Sequence, residues 1–161
     1  MGTSDSPFIY VARDEGGTLE VTGGTVTCKM SGLETGAAYS LWEVVTAPGR
    51  GPRPHRHHDQ DEDFYVLAGE VQFAADDESV NVKKGEYVQV SRGTVHRYTV
   101  TSEQPCRMLI VLTPPGGVEA FWREIGIPVT DRSSPPPPPG ATDFDKIAKI
   151  ALRHGMEFVI G

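Results

Sequence analysis

From Phe8 to about Pro114 the chain is interrupted every few residues by Gly, Pro, Asp or Ser, with Val, Thr, Tyr and Ile enriched between the interruptions. Such residues suit a pleated surface, and the interruptions suit tight turns. The pattern predicts an all-β fold with strands near Phe8–Ala12, Thr18–Thr22, Thr25–Met30, Ala38–Thr46, Phe64–Ala74, Ser79–Lys83, Tyr87–Ser91, Val95–Thr101 and Arg107–Thr113. Their number and spacing fit a sandwich or barrel. Alternation is clearest in Val80-Asn81-Val82-Lys83 and Tyr87-Val88-Gln89-Val90. A chain of 161 residues accommodates one core with an attached tail. The expected division is a barrel with its N-terminal strands over 1–115 and a C-terminal extension over 116–161 packed on the same domain.

The composition changes after Pro114-Pro115. Val118–Ile125 carries Phe121, Trp122 and Ile125 at offsets that suit a short amphipathic helix against the barrel. Five prolines from Pro135 to Pro139 predict an extended polyproline II spacer, because proline fixes φ and donates no hydrogen bond. Arg132, Pro135 and Pro138 stand at a spacing that proline-binding modules read, but the expected role is to carry the chain across the barrel surface. Asp143 is placed to cap a helix running to about His154, with Ile147, Ile150 and Ala151 on one face and Gly155 as its stop.

The formal net charge of −7 leaves no basic stripe to gather phosphates, so nucleic acid is not an expected partner. No apolar run approaches the roughly 18 residues of a membrane-spanning helix, and the N-terminus lacks a signal-peptide layout. A cytoplasmic protein with no membrane partner is expected. Met1-Gly2 with Ser6 satisfies a bare myristoylation pattern, yet no polybasic patch follows to make an anchor stable. Cys28 and Cys106 sit in apolar stretches and are expected to be reduced, buried thiols.

Four of the five histidines lie between positions 55 and 96, three of them in the run His55-Arg56-His57-His58. Residues two apart in a strand share a face, so His55 and His57 can present two imidazoles to one point while Arg56 and His58 turn away. Imidazole and carboxylate donors suit divalent iron, nickel, manganese, cobalt or zinc. Glu62 and His96 are the obvious further ligands, His96 being aimed by the turn Gly93-Thr94-Val95. Asp59 and Asp61 compete for the carboxylate role. His58 and His154 are assigned to the surface, and Arg97 and Glu70 are ordinary strand charges.

These residues resemble the two motifs of the cupin family. The first motif (Gly, five residues, His, one residue, His, four residues, Glu, six residues, Gly) is met by Gly49, His55, His57, Glu62 and Gly69. In the second, Gly85, Gly93 and His96 stand in place, while Ser91 replaces the usual Pro and Val100 the usual Asn. Among the acids only Glu62 has the motif spacing. The resemblance implies a double-stranded β-helix, or jelly roll, with short C-terminal helices, holding one divalent transition metal on His55, His57, Glu62 and His96, and a homodimer.

The stretch Asp61–Glu70 is similar to the flavonol dioxygenase, or quercetinase-like, branch of that family. It implies oxidative cleavage of an enol- or phenol-bearing aromatic or polyketide-like small molecule by dioxygen, with Glu62 accepting the substrate's hydroxyl proton. Phe64 and Val66, on the strand face of Glu62, and Tyr98, on the face of His96, are the expected pocket residues, followed by Trp42, Val44, Met108 and Ile110. The competing readings are a metal-dependent isomerase, cyclase or lyase acting on an enolizable substrate, a non-catalytic binder of a small ligand, and a purely structural barrel.

Overall fold

The computed structural model describes residues 7–131 and 143–159. In chain order its elements are β1 (Thr18–Val21), β2 (Gly24–Met30), β3 (Ser40–Thr46), β4 (His55–His57), β5 (Asp61–Ala68), β6 (Glu70–Ala75), β7 (Glu78–Lys83), β8 (Tyr87–Val90), β9 (His96–Val100), β10 (Cys106–Thr113), α1 (Gly117–Ile125), β11 (Ile127–Pro128), α2 (Phe144–Arg153) and β12 (Met156–Phe158). They form a seven-stranded sheet, β11-β1-β2-β3-β10-β5-β8, and a five-stranded sheet, β12-β4-β9-β6-β7. Every strand pairing is antiparallel. The architecture is a jelly-roll barrel with two short helices.

Two-residue alternation decides what faces inward. Along β10, Cys106, Met108, Ile110 and Leu112 are buried, while Arg107, Leu109 and Val111 are half-buried on the outer face. The same rule buries Ser40, Trp42, Val44 and Thr46 along β3. The sheets are joined inside by aromatic rings: Phe64 on β5 packs edge-on against Phe73 on β6 at 4.7 Å, and Phe73 lies 5.6 Å from Tyr98 on β9. Phe64 is buried to 1% exposure, which contributes about 1.5–3 kcal/mol through removal of its surface from water. Cys28 and Cys106 are both free thiols, but only Cys106 is buried; Cys28 is half-buried, against expectation.

The structure departs from the expected strands in two places. Phe8–Ala12 forms no strand, and Phe8, Ile9 and Tyr10 are 78%, 66% and 82% exposed. Its composition suits a strand, but the neighbouring sheet edge at β1 is taken by β11, through Leu19 opposite Pro128 and Glu20 opposite Ile127. The stretch Phe64–Ala74 is two strands, because the chain passes from the large sheet to the small one at Gly69. Gly69 has φ +82°, and a Cβ there would lie 2.9 Å from Cys106 Cα, so only glycine fits the crossing.

The C-terminal segment builds onto the barrel. Helix α1 covers Val118–Ile125 as expected, and Gln60 fixes its entry by accepting the Val118 N–H and donating to the Pro114 carbonyl. Asp143 caps α2 by accepting the Lys146 N–H, and Gly155, at φ +73°, ends that element. Phe121, Ile150, Ala151 and Met156 form a second apolar cluster between the helices and β12. The proline-run and myristoylation expectations lie outside the described residues.

Strand β12 then adds to the edge of β4, Met156 opposite His57 and Phe158 opposite His55. Outside the ladder, Glu157 accepts two hydrogen bonds from Arg56 and lies 3.3 Å from His58. Removing residues from 143 onward therefore strips one side of β4. The expected outcome is a lower melting temperature together with a metal affinity reduced about 10–100-fold, the usual cost of losing the support of a ligand. Thermal denaturation and metal content of the truncated chain check both.

Candidate metal centre

Strand β4 is three residues long, yet its alternation is strict: His55 and His57 are buried at 5% and 4% exposure, and Arg56 between them reaches outward. His55 stands directly opposite His96 of β9. The fourth residue, Glu62, arrives from the other sheet, where it lies between Leu112 of β10 and Val90 of β8. Gly93, at φ +82°, turns the chain into β9 and donates its N–H to the His57 carbonyl at 2.7 Å. The turn that aims His96 is thereby tied to the strand carrying the other two imidazoles.

One ligand atom from each of His55, His57, Glu62 and His96 lies within 4.8 Å of all the others, and all four residues are buried. Glu62 Oε2 is 3.1 Å from His57 Nε2 and 3.2 Å from His96 Nε2. Two donors bonded to one ion at about 2.1 Å, at right angles, stand about 3 Å apart, so these separations suit adjacent positions around a metal. His57 adds a stronger sign. Neither of its buried ring nitrogens has a hydrogen-bond partner, and its 3.1 Å approach to Glu62 lacks hydrogen-bond geometry. A buried polar atom left in that state costs about 1–3 kcal/mol, which a metal bond removes.

The remaining ring nitrogens are oriented for the same task. His55 Nδ1–H donates to the Arg53 carbonyl at 2.8 Å, and His96 Nδ1–H to the Thr94 carbonyl at 3.0 Å. Because a carbonyl only accepts, both rings turn Nε2 inward as the donor atom. Burial, reinforced by His96 and His57, pushes His55 down to about 3, so it stays neutral and available. Burial acts to raise the Glu62 carboxyl, but His57 and His96 outweigh it and hold Glu62 below the usual carboxylate range. For His96, burial acts downward and is outweighed by the hydrogen bond to Glu62, so its affinity for a proton is raised. These donors fit a divalent transition ion, and the cluster can hold one.

Beside the cluster lies a cavity of about 110 Å³. His55, His57 and Glu62 border it, as do Phe64, Tyr98, Val44 and Ile110 among the expected pocket residues. His96 does not; it borders a separate cleft with Phe73, Val88 and Val90. Trp42, Val66 and Met108 are core residues away from the cavity wall, at 1%, 0% and 0% exposure. Val66 shares the inward face with Glu62, but at four residues along β5 it stands about 13 Å away and packs beside Met108. Trp42 packs edge-on against Trp122 of α1 at 5.2 Å.

Several wall residues escaped the sequence reading: Thr46, Val26, Ile147, Met156 and Phe158. Thr46 was open to it, since it continues the inward face of Trp42 and Val44. Met156 and Phe158 were not, because they reach the cavity through a pairing across about a hundred residues. His58 is exposed beside Glu157, and His154 bonds Glu124 away from the cluster. Arg97 and Glu70 are exposed strand residues.

A jelly-roll barrel with three imidazoles and one carboxylate turned inward defines a class of metal-binding β-barrels. Residues 42–112 match the cupin domain family, so the segment that carries the cluster resembles a cupin domain. It is 34% identical over 107 residues to quercetin 2,3-dioxygenase of Bacillus subtilis, an alignment covering 65% of this chain and 31% of that protein. The chain thus spans about a third of that relative's length. Among solved structures, a predicted oxalate decarboxylase from Thermotoga maritima superposes with TM-score 0.58 at 21% identity, covering 65% of this chain and 97% of the other. The polyketide cyclase RemF from Streptomyces resistomycificus superposes with TM-score 0.51 at 24% identity, covering 63% and 69%. These likenesses confirm the fold. In the described residues no helix is long and apolar enough to cross a membrane.

Two outcomes are expected. His57→Ala and Glu62→Ala each lower metal affinity by more than about 100-fold, beyond the loss typical of a supporting residue, as read by elemental analysis of the purified variants. In the wild type, a metal must displace the proton His96 holds, so the apparent affinity rises with pH by about tenfold per unit and levels off above the raised His96 value. Competition with a chromogenic chelator from about pH 5.5 to about pH 8 reads that slope.

Proposed function

We propose that this chain is a metal-dependent enzyme acting on a compact enol- or phenol-bearing aromatic or polyketide-like molecule, and that it cleaves the substrate with dioxygen. The observation that carries the reading is the union of a buried three-histidine, one-carboxylate cluster with an apolar cavity at its side. Similarity to quercetin 2,3-dioxygenase over the segment containing these residues favours the dioxygenase chemistry. His55, His57, Glu62 and His96 would hold the ion, which when bound supplies Lewis acidity and, if redox-active, electron transfer.

Each remaining role falls to the chain itself. The described contacts of Glu62 run through Oε2, leaving Oε1 to accept the proton of a substrate hydroxyl. Phe64 beside it and the strand residues Val44 and Ile110 keep water away from the electron-rich ring. Met156 and Phe158 close the cavity from the C-terminal side. At about 110 Å³ the cavity is well below the roughly 300–1,000 Å³ typical of drug-sized ligands, which favours a one-ring substrate over a three-ring flavonol. For the assembly we favour a homodimer, supported by the half-exposed Leu41, Leu109 and Val111 and the exposed Tyr65 on the outer face of the large sheet.

Oxygen uptake tests the reading. Protein loaded in turn with iron, nickel, manganese, cobalt and zinc is supplied with one-ring enolones, flavonols and enolizable aromatic ketones in an oxygen electrode. Uptake that depends on one metal and on one substrate class is expected, and Glu62→Gln should slow it by about 10²–10⁴-fold. Turnover that proceeds without dioxygen would move the protein to isomerase or cyclase chemistry. Tight retention of a probe without turnover would make it a binding protein.

A further inference from the structure

Apart from His55, His57 and Glu62, the buried polar side chains on the cavity wall are Thr46 and Tyr98. They come from opposite sheets, Thr46 at the end of β3 and Tyr98 in the middle of β9, and their hydroxyl oxygens meet at 3.2 Å. That is long for a bond between hydroxyls, whose usual separation is about 2.7–2.8 Å. Each hydroxyl carries one proton, and a single mutual bond uses one of the two. Among the described residues the protein supplies no second acceptor for either. One O–H is left over inside a wall otherwise formed by side chains such as Val26, Val44 and Phe64.

A buried donor in this state is paired when a ligand oxygen arrives. Tyr98 shares the inward face of β9 with His96, two residues away, and the pair borders the same cavity as His55, His57 and Glu62. A single ring in that cavity can therefore present one oxygen to the cluster and another to the pair.

We infer that the Thr46–Tyr98 hydroxyl pair is a second oxygen-recognition site, which selects a compact enolone or phenol bearing a further hydroxyl or carbonyl across the ring from the enol oxygen. The inference rests on the function proposed above and adds a specificity that the cluster alone does not provide. A site built to bond a substrate oxygen discriminates strongly against the analogue that lacks it, because its own donor is then left unpaired.

The test measures binding without turnover. Cobalt-loaded protein is titrated anaerobically with 3-hydroxy-4-pyranone and with its derivatives carrying one further hydroxyl or hydroxymethyl group, the cobalt absorption reporting occupancy. At least one oxygenated derivative should bind about tenfold more tightly than its parent. Thr46→Val/Tyr98→Phe should abolish that preference, so that parent and derivative bind alike, while metal content stays that of the wild type, which also shows that the variant folds. The single variants identify which hydroxyl donates. A preference that survives in the double variant, or parent binding with no preference for any derivative, overturns the inference and leaves the proposed function standing. Failure of every probe to bind removes the proposed substrate class and the inference together.

Discussion

Four titratable side chains buried in an apolar barrel are tolerable only because they answer one another. A lone ionised carboxylate taken out of water would neutralise or unfold its surroundings. Glu62 keeps its charge because the imidazole nitrogens of His57 and His96 stand within 3.2 Å of Oε2; His96 is in turn held by the backbone carbonyl of Thr94, and the neighbouring His55 by that of Arg53. The arrangement is still incomplete, since His57 has no hydrogen-bond partner for either nitrogen. Those unpaired nitrogens make the cluster a fitting set of donors for a cation.

That constraint accounts for much of the surrounding fold. A strand of three residues has little stability of its own, so β4 is flanked by β9 and β12 and anchored by the Gly93 bond to His57. The C-terminal segment thereby acts twice, once as the outer neighbour of the ligand strand and once as the wall that places Met156 and Phe158 against the cavity. The helices pack their own apolar cluster beside β12, which couples the tail to the strand that carries His55 and His57.

The places where expectation and structure part follow physical rules. Phe8–Ala12 has the composition of a strand, but composition does not supply an edge, and β11 occupies the edge of β1. Phe64–Ala74 reads as one run because apolar residues continue through it, yet Gly69 transfers the chain between sheets. Alternation correctly turned Trp42, Val66 and Met108 inward, but a barrel interior serves as both cavity wall and core. Depth along the strand, which period two does not encode, put those three in the core and Phe64, Val44 and Ile110 at the cavity.

The sequence by itself determined the local facts: the strands' inward faces, the helix caps at Asp143 and Gly155, and the pairing of His55 with His57 on one face. It could do so because each depends on dihedral preferences and a period of two residues, which a short window contains. Its family motifs also singled out Glu62 from Asp59 and Asp61. What only the tertiary structure decided is how distant segments meet: Glu62 crossing from one sheet to the imidazoles of the other, β12 returning to β4, and Thr46 facing Tyr98. Those contacts are chosen by the closure of the whole barrel, where the packing of two sheets around one core leaves each side chain a single position.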